Sequence, residues 1–481
     1  MSHTSSRAGA ENQTIATAEK SGQADFSSLN LESALVENLA SLGYHTMTRI
    51  QAQSLPLMLE GKDVIGQAQT GSGKTCAFAL ALLHNLNVRR FRVQSLVLCP
   101  TRELADQVAI EIRKLARNIH NIKVLTLCGG QPMGPQIGSL EHGAHIVVGT
   151  PGRVEVHLKK GRLSLDNVNT LVLDEADRML EIGFEQSLNT IVDYCAKVRQ
   201  NLLFSATFPE KIERFAAHIM TGAQRVTVDA NRDHDKIDQY FYQVDNEQQR
   251  IDASKRLLMH FQPHSAVIFC NTKAQCQTLA DRLRDSGFDS AALHGDLEQK
   301  DRDKTLIQFA NKSLTVLVAT DVAARGIDVD DVDLVINFHL AHDPQVHLHR
   351  IGRTGRAGKQ GVACSLISHK EAHKVIRLED YQGQAIDTVE LPSESTLPNK
   401  PVPATMVTLQ IDGGKKSKLR PGDILGALTA NAKIRGEQIG KIKVQATMAF
   451  VAVDTAIANL ALKTISEGKM KGRNFRVRKL R

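Results

Sequence analysis

Val64-Ile65, then Ala68-Gln69-Thr70-Gly71-Ser72-Gly73-Lys74-Thr75, then the apolar run Cys76 to Leu83, is the stretch that decides the fold class of this chain. A short β-branched run ends in a loop with two glycines, and the loop opens into a helix. The glycines let successive backbone N–H groups wrap a phosphate, and the helix start adds positive potential at the same place. Lys74 is spaced to reach the β- and γ-phosphates of a nucleoside triphosphate, and the Thr75 hydroxyl to bind Mg²⁺. The one departure from the usual pattern of such a loop is Ala68, which stands where a glycine is common.

Outward from this loop, Leu96-Val97-Leu98, Ile146-Val147-Val148, Leu171-Val172-Leu173 and Leu202-Leu203-Phe204 have the look of buried parallel strands, each followed by a loop with special residues and a helical pattern. That is α/β architecture, with ligands expected beyond the strand ends. The run Leu171-Val172-Leu173 ends in Asp174-Glu175-Ala176-Asp177. Alone, an acidic cluster after a strand is most often a solvated loop. Beside a phosphate loop it supplies the acids that loop needs. Asp174 would hold Mg²⁺, directly or through water, and Glu175 would orient and polarise the attacking water.

The same grammar restarts after the polar stretch Asp229 to Asp238, in Val267-Ile268-Phe269, Ala291-Ala292-Leu293, Val316-Leu317-Val318 and Leu334-Val335-Ile336. Pro392, Pro398, Pro401 and Pro403 then mark a stiff linker. Beyond it the pattern is strand, helix, two strands, helix and strand, the order of an RRM-like α+β domain. The expected boundaries are a disordered tail over residues 1–24, α/β domains over 25–230 and 231–385, a proline-rich linker over 386–403, and the small domain over 404–481. About three domains is what 481 residues suggest at roughly 150 residues each.

Charge is localised. Residues 404–481 hold sixteen Lys and Arg against five Asp and Glu, a net of +11, which leaves −3 for the remainder of a chain whose total is +8. A polyanion partner is expected for that segment in particular. The seven cysteines are odd in number and form no C-x-x-C pair. That is the pattern of buried free thiols in a reducing cytoplasm rather than of a disulfide frame or a zinc site. The first residues have no apolar core, so no signal peptide is expected, and the apolar run near Cys76 is too short to span a bilayer. A cytoplasmic protein with no membrane partner is the expectation.

With Asp174-Glu175-Ala176-Asp177 in place, residues from Phe26 to about Glu379 resemble the DEAD-box helicases. The resemblance implies two tandem RecA-like parallel-sheet domains that use ATP and Mg²⁺ to act on RNA. Gly43-Tyr44-His45-Thr46-Met47-Thr48-Arg49-Ile50-Gln51 resembles the family's adenine-reading Q motif, with Met47 and Arg49 where prolines are common. It implies nucleotide contacts from Phe26, Tyr44 and Gln51, beside the loop Ala68 to Thr75, and from Asp328 in the second domain. An amide such as Gln51 suits adenine because it both gives and takes a hydrogen bond. Pro100-Thr101-Arg102, Gly129-Gly130 and Thr150-Pro151-Gly152-Arg153 resemble the first-domain RNA motifs, rich in donors suited to a sugar-phosphate backbone. Ser205-Ala206-Thr207 is similar to the motif coupling hydrolysis to RNA release, with hydroxyls placed to bond Asp177.

In the second domain, Thr320-Asp321-Val322-Ala323-Ala324-Arg325-Gly326-Ile327-Asp328 and His349-Arg350-Ile351-Gly352-Arg353-Thr354-Gly355-Arg356 match the family. The resemblance implies RNA contacts from Gln299, Arg302, Thr320 and Asp321, coupling by His349, and arginine fingers at Arg353 and Arg356. A finger is worth about 10³ or more in rate. The first domain has a phosphate loop and no finger, and the second the reverse. Joint binding of ATP and RNA would then complete the site.

Residues 404–481 resemble the RNA-binding domain of the bacterial DbpA subfamily, in Ile411-Asp412-Gly413-Gly414-Lys415-Lys416, Leu419 to Leu428, Ile439-Gly440-Lys441-Ile442 and Val477-Arg478. That resemblance implies targeting to 23S ribosomal RNA and to precursors of the large (50S) ribosomal subunit. Phe450 is the one aromatic on the central strand, so RNA contact is expected from it and from Lys415, Lys416, Lys418, Arg420, Lys441, Lys443, Arg476 and Arg478. A monomer that does not act on DNA is the expectation. The rivals are an ATPase that opens DNA and an RNA chaperone or annealer for which ATP is secondary.

Overall fold

The computed structural model describes residues 24–68, 71–228, 237–324, 332–355, 360–430 and 433–480. The chain divides into two compact units, Met1–Ala230 and Asn231–Arg481.

The first unit is a seven-stranded parallel sheet: β1 (Val64–Gln67), β2 (Ser95–Leu98), β3 (Val124–Leu127), β4 (Ile146–Gly149), β5 (Thr170–Asp174), β6 (Gln200–Ser205) and β7 (Gln224–Thr227). Their order is β3-β4-β2-β5-β6-β1-β7. Every residue of β2, β4, β5 and β6 is buried, as apolar runs covered on both faces require. The edge strands β3 and β7 are half-exposed and polar-interrupted, and no apolar run marks them in the sequence. Helices cover both faces. The helix Lys74–His84 is buried from Cys76 to Leu83, and its Phe78 meets Phe204 of β6 at 5.5 Å between ring centroids. Burying two such rings contributes about 2–3 kcal/mol each, so the helix behind the phosphate loop is anchored in the core.

The second unit contains another seven-stranded parallel sheet: β8 (Ile237–Gln243), β9 (Ala266–Cys270), β10 (Ser290–Leu293), β11 (Val316–Thr320), β12 (Leu334–Asn337), β13 (Gly361–Ile367) and β14 (Thr388–Val389). The order β10-β11-β9-β12-β13-β8-β14 repeats that of the first sheet, strand for strand. β8 begins at Ile237, within the polar stretch expected to separate the domains, and residues 229–236 lie outside the described ones.

The remaining strands, β15 (Met406–Ile411), β16 (Ile439–Val444), β17 (Ala449–Asp454) and β18 (Val477–Lys479), form an antiparallel sheet in the order β16-β17-β15-β18. One face, with Leu409, Ile411, Val451 and Val453, packs in a core with the helices Pro421–Thr429 and Ala458–Glu467. The strand–helix alternation is the one expected. The other face differs from expectation. Thr408, Gln410, Phe450 and Ala452 are all buried, none more than 1% exposed. Thr408 bonds Asn311 (3.1 Å) and Ser313 (2.5 Å), and the Met406 N–H donates to the Lys312 carbonyl, so the seven-stranded domain covers this face.

Residues 386–403, expected as a stiff linker, are docked onto the domain. β14 adds to the sheet edge beside β8, Leu391 packs against the core beneath it, Glu394 pairs with Arg256, and the Ala404 N–H donates to Asp289 at 2.8 Å. The prolines stiffen a strap that is laid onto the domain.

Candidate nucleotide and RNA sites

The phosphate loop is built by backbone conformation before any side chain acts. Gly71 and Gly73 have φ of 85° and 94°, a region open to glycine at little cost. A Cβ on Gly73 would also lie 2.6 Å from the Gln51 amide. That amide donates to the Gly73 carbonyl at 3.1 Å, while its oxygen accepts the Thr48 N–H at 2.8 Å. Gln51 thus ties the Q-motif turn to the phosphate loop. The Lys74 ammonium is buried and donates to the Ala68 carbonyl inside the loop. Gln69 and Thr70 lie outside the described residues, as do Asp328 and Arg356.

Asp174 ends β5 and is 3% exposed. Burial pushes its carboxyl above the usual range, and the charge of Lys74 pulls it back. Glu175 follows in the left-handed region (φ 53°, ψ 54°), a conformation that costs a non-glycine residue about 1–3 kcal/mol. It turns the chain from β5 into the helix Ala176–Ile182. Asp177 accepts from the Thr207 hydroxyl (2.9 Å) and N–H (3.2 Å). Ser205 acts differently from the expected carboxylate contact. Its oxygen accepts the Asp177 N–H and its hydroxyl donates to the Thr207 carbonyl.

Phe26 is buried in the first core, in a short turn whose Ser27 N–H is capped by the Asp25 carboxylate. Tyr44 has the Lys114 ammonium 4.7 Å from its ring centroid, and its hydroxyl bonds Lys114 and Glu111. One ring face is therefore taken up by the helix Arg102–Leu115.

The three first-domain motifs expected at RNA come together at the strand ends. Arg102 donates to the Gly129 carbonyl at 3.1 Å, and a Cβ on Gly130 would overlap its guanidinium. The Gly129 N–H points to the Thr150 hydroxyl at 3.4 Å, and Arg153 donates to the Gln131 carbonyl at 3.0 Å. Pro100 and Thr101 start the helix beside them, with Thr101 accepting the Leu104 N–H, and Pro151 opens the helix that carries Gly152 and Arg153. Gln136, which no motif marks, joins them. Its buried amide donates to the Cys128 carbonyl at 3.0 Å, and its oxygen accepts from Arg153 at 3.2 Å and from His157 at 3.0 Å. It holds the glycine turn and Arg153 in one arrangement. Burial and Arg153 keep His157 below the usual histidine range, as a neutral ring donating to this amide. A lone Gln in a helix of weak periodicity gave no signal.

In the second domain Arg350 is the organiser. It is 2% exposed, and holds both carboxylate oxygens of Asp321 (2.6 and 2.8 Å), the His339 carbonyl, Asn337 and Asn271. Asp321, expected at RNA, is thereby first a partner of Arg350. Thr320 is buried at the end of β11, Gln299 donates to Asp303 at 2.8 Å, and Arg302 follows on the same helix. His349 is half-buried, and Arg353 is 4% exposed within its own domain.

In the small domain, Lys415, Lys416, Lys418 and Arg420 are exposed, and the turn they occupy is pinned to the hairpin after β16 by the Lys415 and Lys416 N–H groups on the Gln445 and Ala446 carbonyls. Lys441, Lys443, Arg476 and Arg478 are exposed on or beside the outer strands. Phe450 is corrected: at 1% exposure on the covered face, its ring is closed to a base.

Comparison with known proteins matches residues 48–215 to the DEAD/DEAH box helicase family, 249–358 to the helicase conserved C-terminal domain and 408–479 to the DbpA RNA binding domain. The ATP-dependent RNA helicase DbpA of Escherichia coli K12 is 50% identical over 95% of this chain and 99% of its own length. The DEAD-box ATP-dependent RNA helicase CshA of Bacillus subtilis is 42% identical over 76% of this chain and 74% of its own. Among solved structures, S. cerevisiae Dbp5 bound to RNA and ADP BeF3 aligns with a TM-score of 0.70 at 31% identity, covering 77% of this chain and 96% of that one. No helix among the described residues is long and apolar enough to cross a membrane. With a glycine loop, the acids beside it and three joined motifs in one sheet, and a domain matching the DbpA RNA binding domain in the other unit, the chain belongs to the DEAD-box ATP-dependent RNA helicases, as a member of the DbpA type.

Proposed function

We propose that the protein remodels 23S ribosomal RNA locally during assembly of the large ribosomal subunit, in the cytoplasm and as a monomer, with the small domain choosing the RNA. The observation that carries this reading is the exposed turn Lys415, Lys416 and Lys418 beside exposed Lys443, on a domain whose sheet centre is closed. Recognition then falls to basic loops and outer strands. The first domain's motifs offer donors to phosphate and sugar, which position RNA without reading its sequence.

In the core, Lys74 and the loop N–H groups bind the triphosphate. Asp174 and Thr75 fit Mg²⁺, a hard cation that takes one or two protein oxygens with phosphate oxygens beside them, and its charge would offset that of the phosphates. Glu175 polarises water, Arg353 and Arg356 meet the charge that develops on the phosphoryl group, and Asp177, Ser205, Thr207 and His349 couple its release to RNA. Gln51, Phe26 and Asp328 contribute on the nucleotide side, and Gln299, Arg302 and Thr320 on the RNA side.

The test is ATP turnover stimulated by a 23S rRNA fragment against a scrambled RNA of equal length. It uses the full chain and a variant with Lys415→Glu, Lys416→Glu and Lys418→Glu. The wild type should prefer the 23S fragment, and the variant should respond equally to both. A preference that survives the charge reversal would place specificity elsewhere.

A further inference from the structure

The first unit carries a second concentration of RNA-type chemistry, at the end of the sheet away from its motifs. Arg89, Arg90, Phe91 and Arg92 form the turn before β2, whose other end leads into Pro100, Thr101 and Arg102. Seven residues, Val93 to Cys99, lie between Arg92 and Pro100, an extended length of about 26 Å. All three arginines are exposed, and no carboxylate among the described residues pairs with them. Asp166, on the loop before the neighbouring β5, is engaged by the Ser164 hydroxyl at 2.7 Å. Phe91 is 45% exposed, with its ring edge-on to His145 at 4.4 Å between centroids.

Unpaired surface arginines are ordinary when the chain beneath them is loose, but this chain is fixed. The buried Gln94 side chain accepts the Asn87 N–H (2.9 Å) and donates to the Asn87 and Arg90 carbonyls (both 2.8 Å). The buried His145 ring takes the Lys123 N–H on Nδ1, so its Nε2 donates to the Val88 carbonyl at 3.1 Å. Two buried polar side chains thus hold a turn whose outward groups are three guanidiniums and an aromatic ring. Along the same rim of the sheet, a cavity of about 320 Å³ is lined by Lys197 and Arg199, with Lys62 paired to Glu60 and Asp63 bonded to Asn201. This basic strip lies on a part of the chain that is net negative outside the small domain.

We propose that the Arg89–Arg92 turn is an accessory RNA site that takes phosphates of the same RNA beyond the segment held by the strand-end motifs, with Phe91 available to stack on a base. Arginine recognises phosphate through its forked donors and an aromatic ring accepts any base, so the site adds reach without sequence preference. The inference rests on the family's RNA substrate, and short RNA tests that substrate separately.

The experiment compares full-length wild type with the triple variant Arg89→Ala, Arg90→Ala, Arg92→Ala. Binding is measured on a short single strand that fills only the motif track, and on that strand extended by a hairpin of about ten base pairs, one helical turn. The variant should bind extended RNA about tenfold more weakly, and the slope of its log affinity against log salt should fall by about two to three, one contact per arginine. Its binding to short RNA, and turnover on it, should match wild type, which separates a fault in the accessory site from one in the helicase reading. Phe91→Leu, which keeps an apolar side chain over His145, should lose about fivefold on extended RNA alone. Equal losses on short and extended RNA, or no loss on either, would overturn the proposal. So would competition by poly-glutamate as effective as that by RNA, which would point to an acidic protein as the partner.

Discussion

In the first seven-stranded domain β1 leads into Gly71, Gly73 and Lys74; in the second, its counterpart β8 leads into Val244, Asp245, Asn246 and Glu247. The sheets share one strand order, so the crevice at the strand ends exists in both. The residues at its mouth decide its chemistry. Asn246 caps the second helix through the Gln249 N–H at 3.0 Å, closing with a side chain the helix end that the glycine loop leaves open for phosphate. Glu247 then puts a carboxyl in the first turn. The strand ends differ likewise: β5 yields Asp174 and Glu175, whereas β12 yields Asn337, Phe338 and His339. Scaffold positions are kept. At the ends of β2 and β9 stand Cys99-Pro100-Thr101 and Cys270-Asn271-Thr272, and both threonines accept a helix N–H at 3.2 Å. Topology repeats the frame, and on the proposed reading a few terminal residues give nucleotide binding to one copy and arginine donors to the other.

The most severe way to break this division is to remove an arginine from the copy without a phosphate loop. Arg353→Ala should cut RNA-stimulated turnover by about 10³ while ATP affinity changes far less. A loss confined to ATP affinity would make Arg353 a ground-state ligand. Next comes the acid of the first copy proposed to activate water. Glu175→Gln should lower turnover by about 10² to 10³ and leave ATP and RNA binding intact, since the amide keeps the size and loses the base. Unchanged turnover would end that assignment.

A smaller effect sharpens the comparison on the RNA side. Gln136→Ala should raise the RNA concentration needed for half-maximal stimulation by about tenfold, because the Cys128 carbonyl and Arg153 lose a buried partner. Turnover at saturating RNA should stay near wild type, and a fall there instead would place Gln136 in the chemistry. The smallest test concerns the shared frame. Thr101→Ala and Thr272→Ala should each destabilise their own domain by about 1 kcal/mol, the usual value of a helix cap. Urea unfolding would check this, and unequal costs would show that the two caps are not equivalent.

Fully buried strands were legible in the sequence because they are unbroken apolar runs, and the phosphate loop because glycine and lysine spacing is rare by chance. The strands β3, β7, β8, β13 and β14 were not read from it. β3, β7 and β14 lie toward sheet edges, and β8, Ile237–Gln243, mixes Asp and Gln with its aromatics. Phe450 misled because its apolar character fits a base-stacking face and a packed interface equally well; only the contacts of Thr408 with Asn311 and Ser313 separate the two. Gln136 and Arg350 were illegible as organisers because their partners, from Asn271 to His339 and from Cys128 to His157, are distant along the chain.

The claim that one of two matching sheets binds nucleotide is tested most directly by calorimetric titration of the full chain with Mg²⁺-ATP, beside Lys74→Ala. One site per chain is predicted for wild type, and binding too weak to titrate for the variant, since the buried ammonium is the phosphate ligand proposed for the loop. A second site in the wild type, or a site that survives Lys74→Ala, would contradict it.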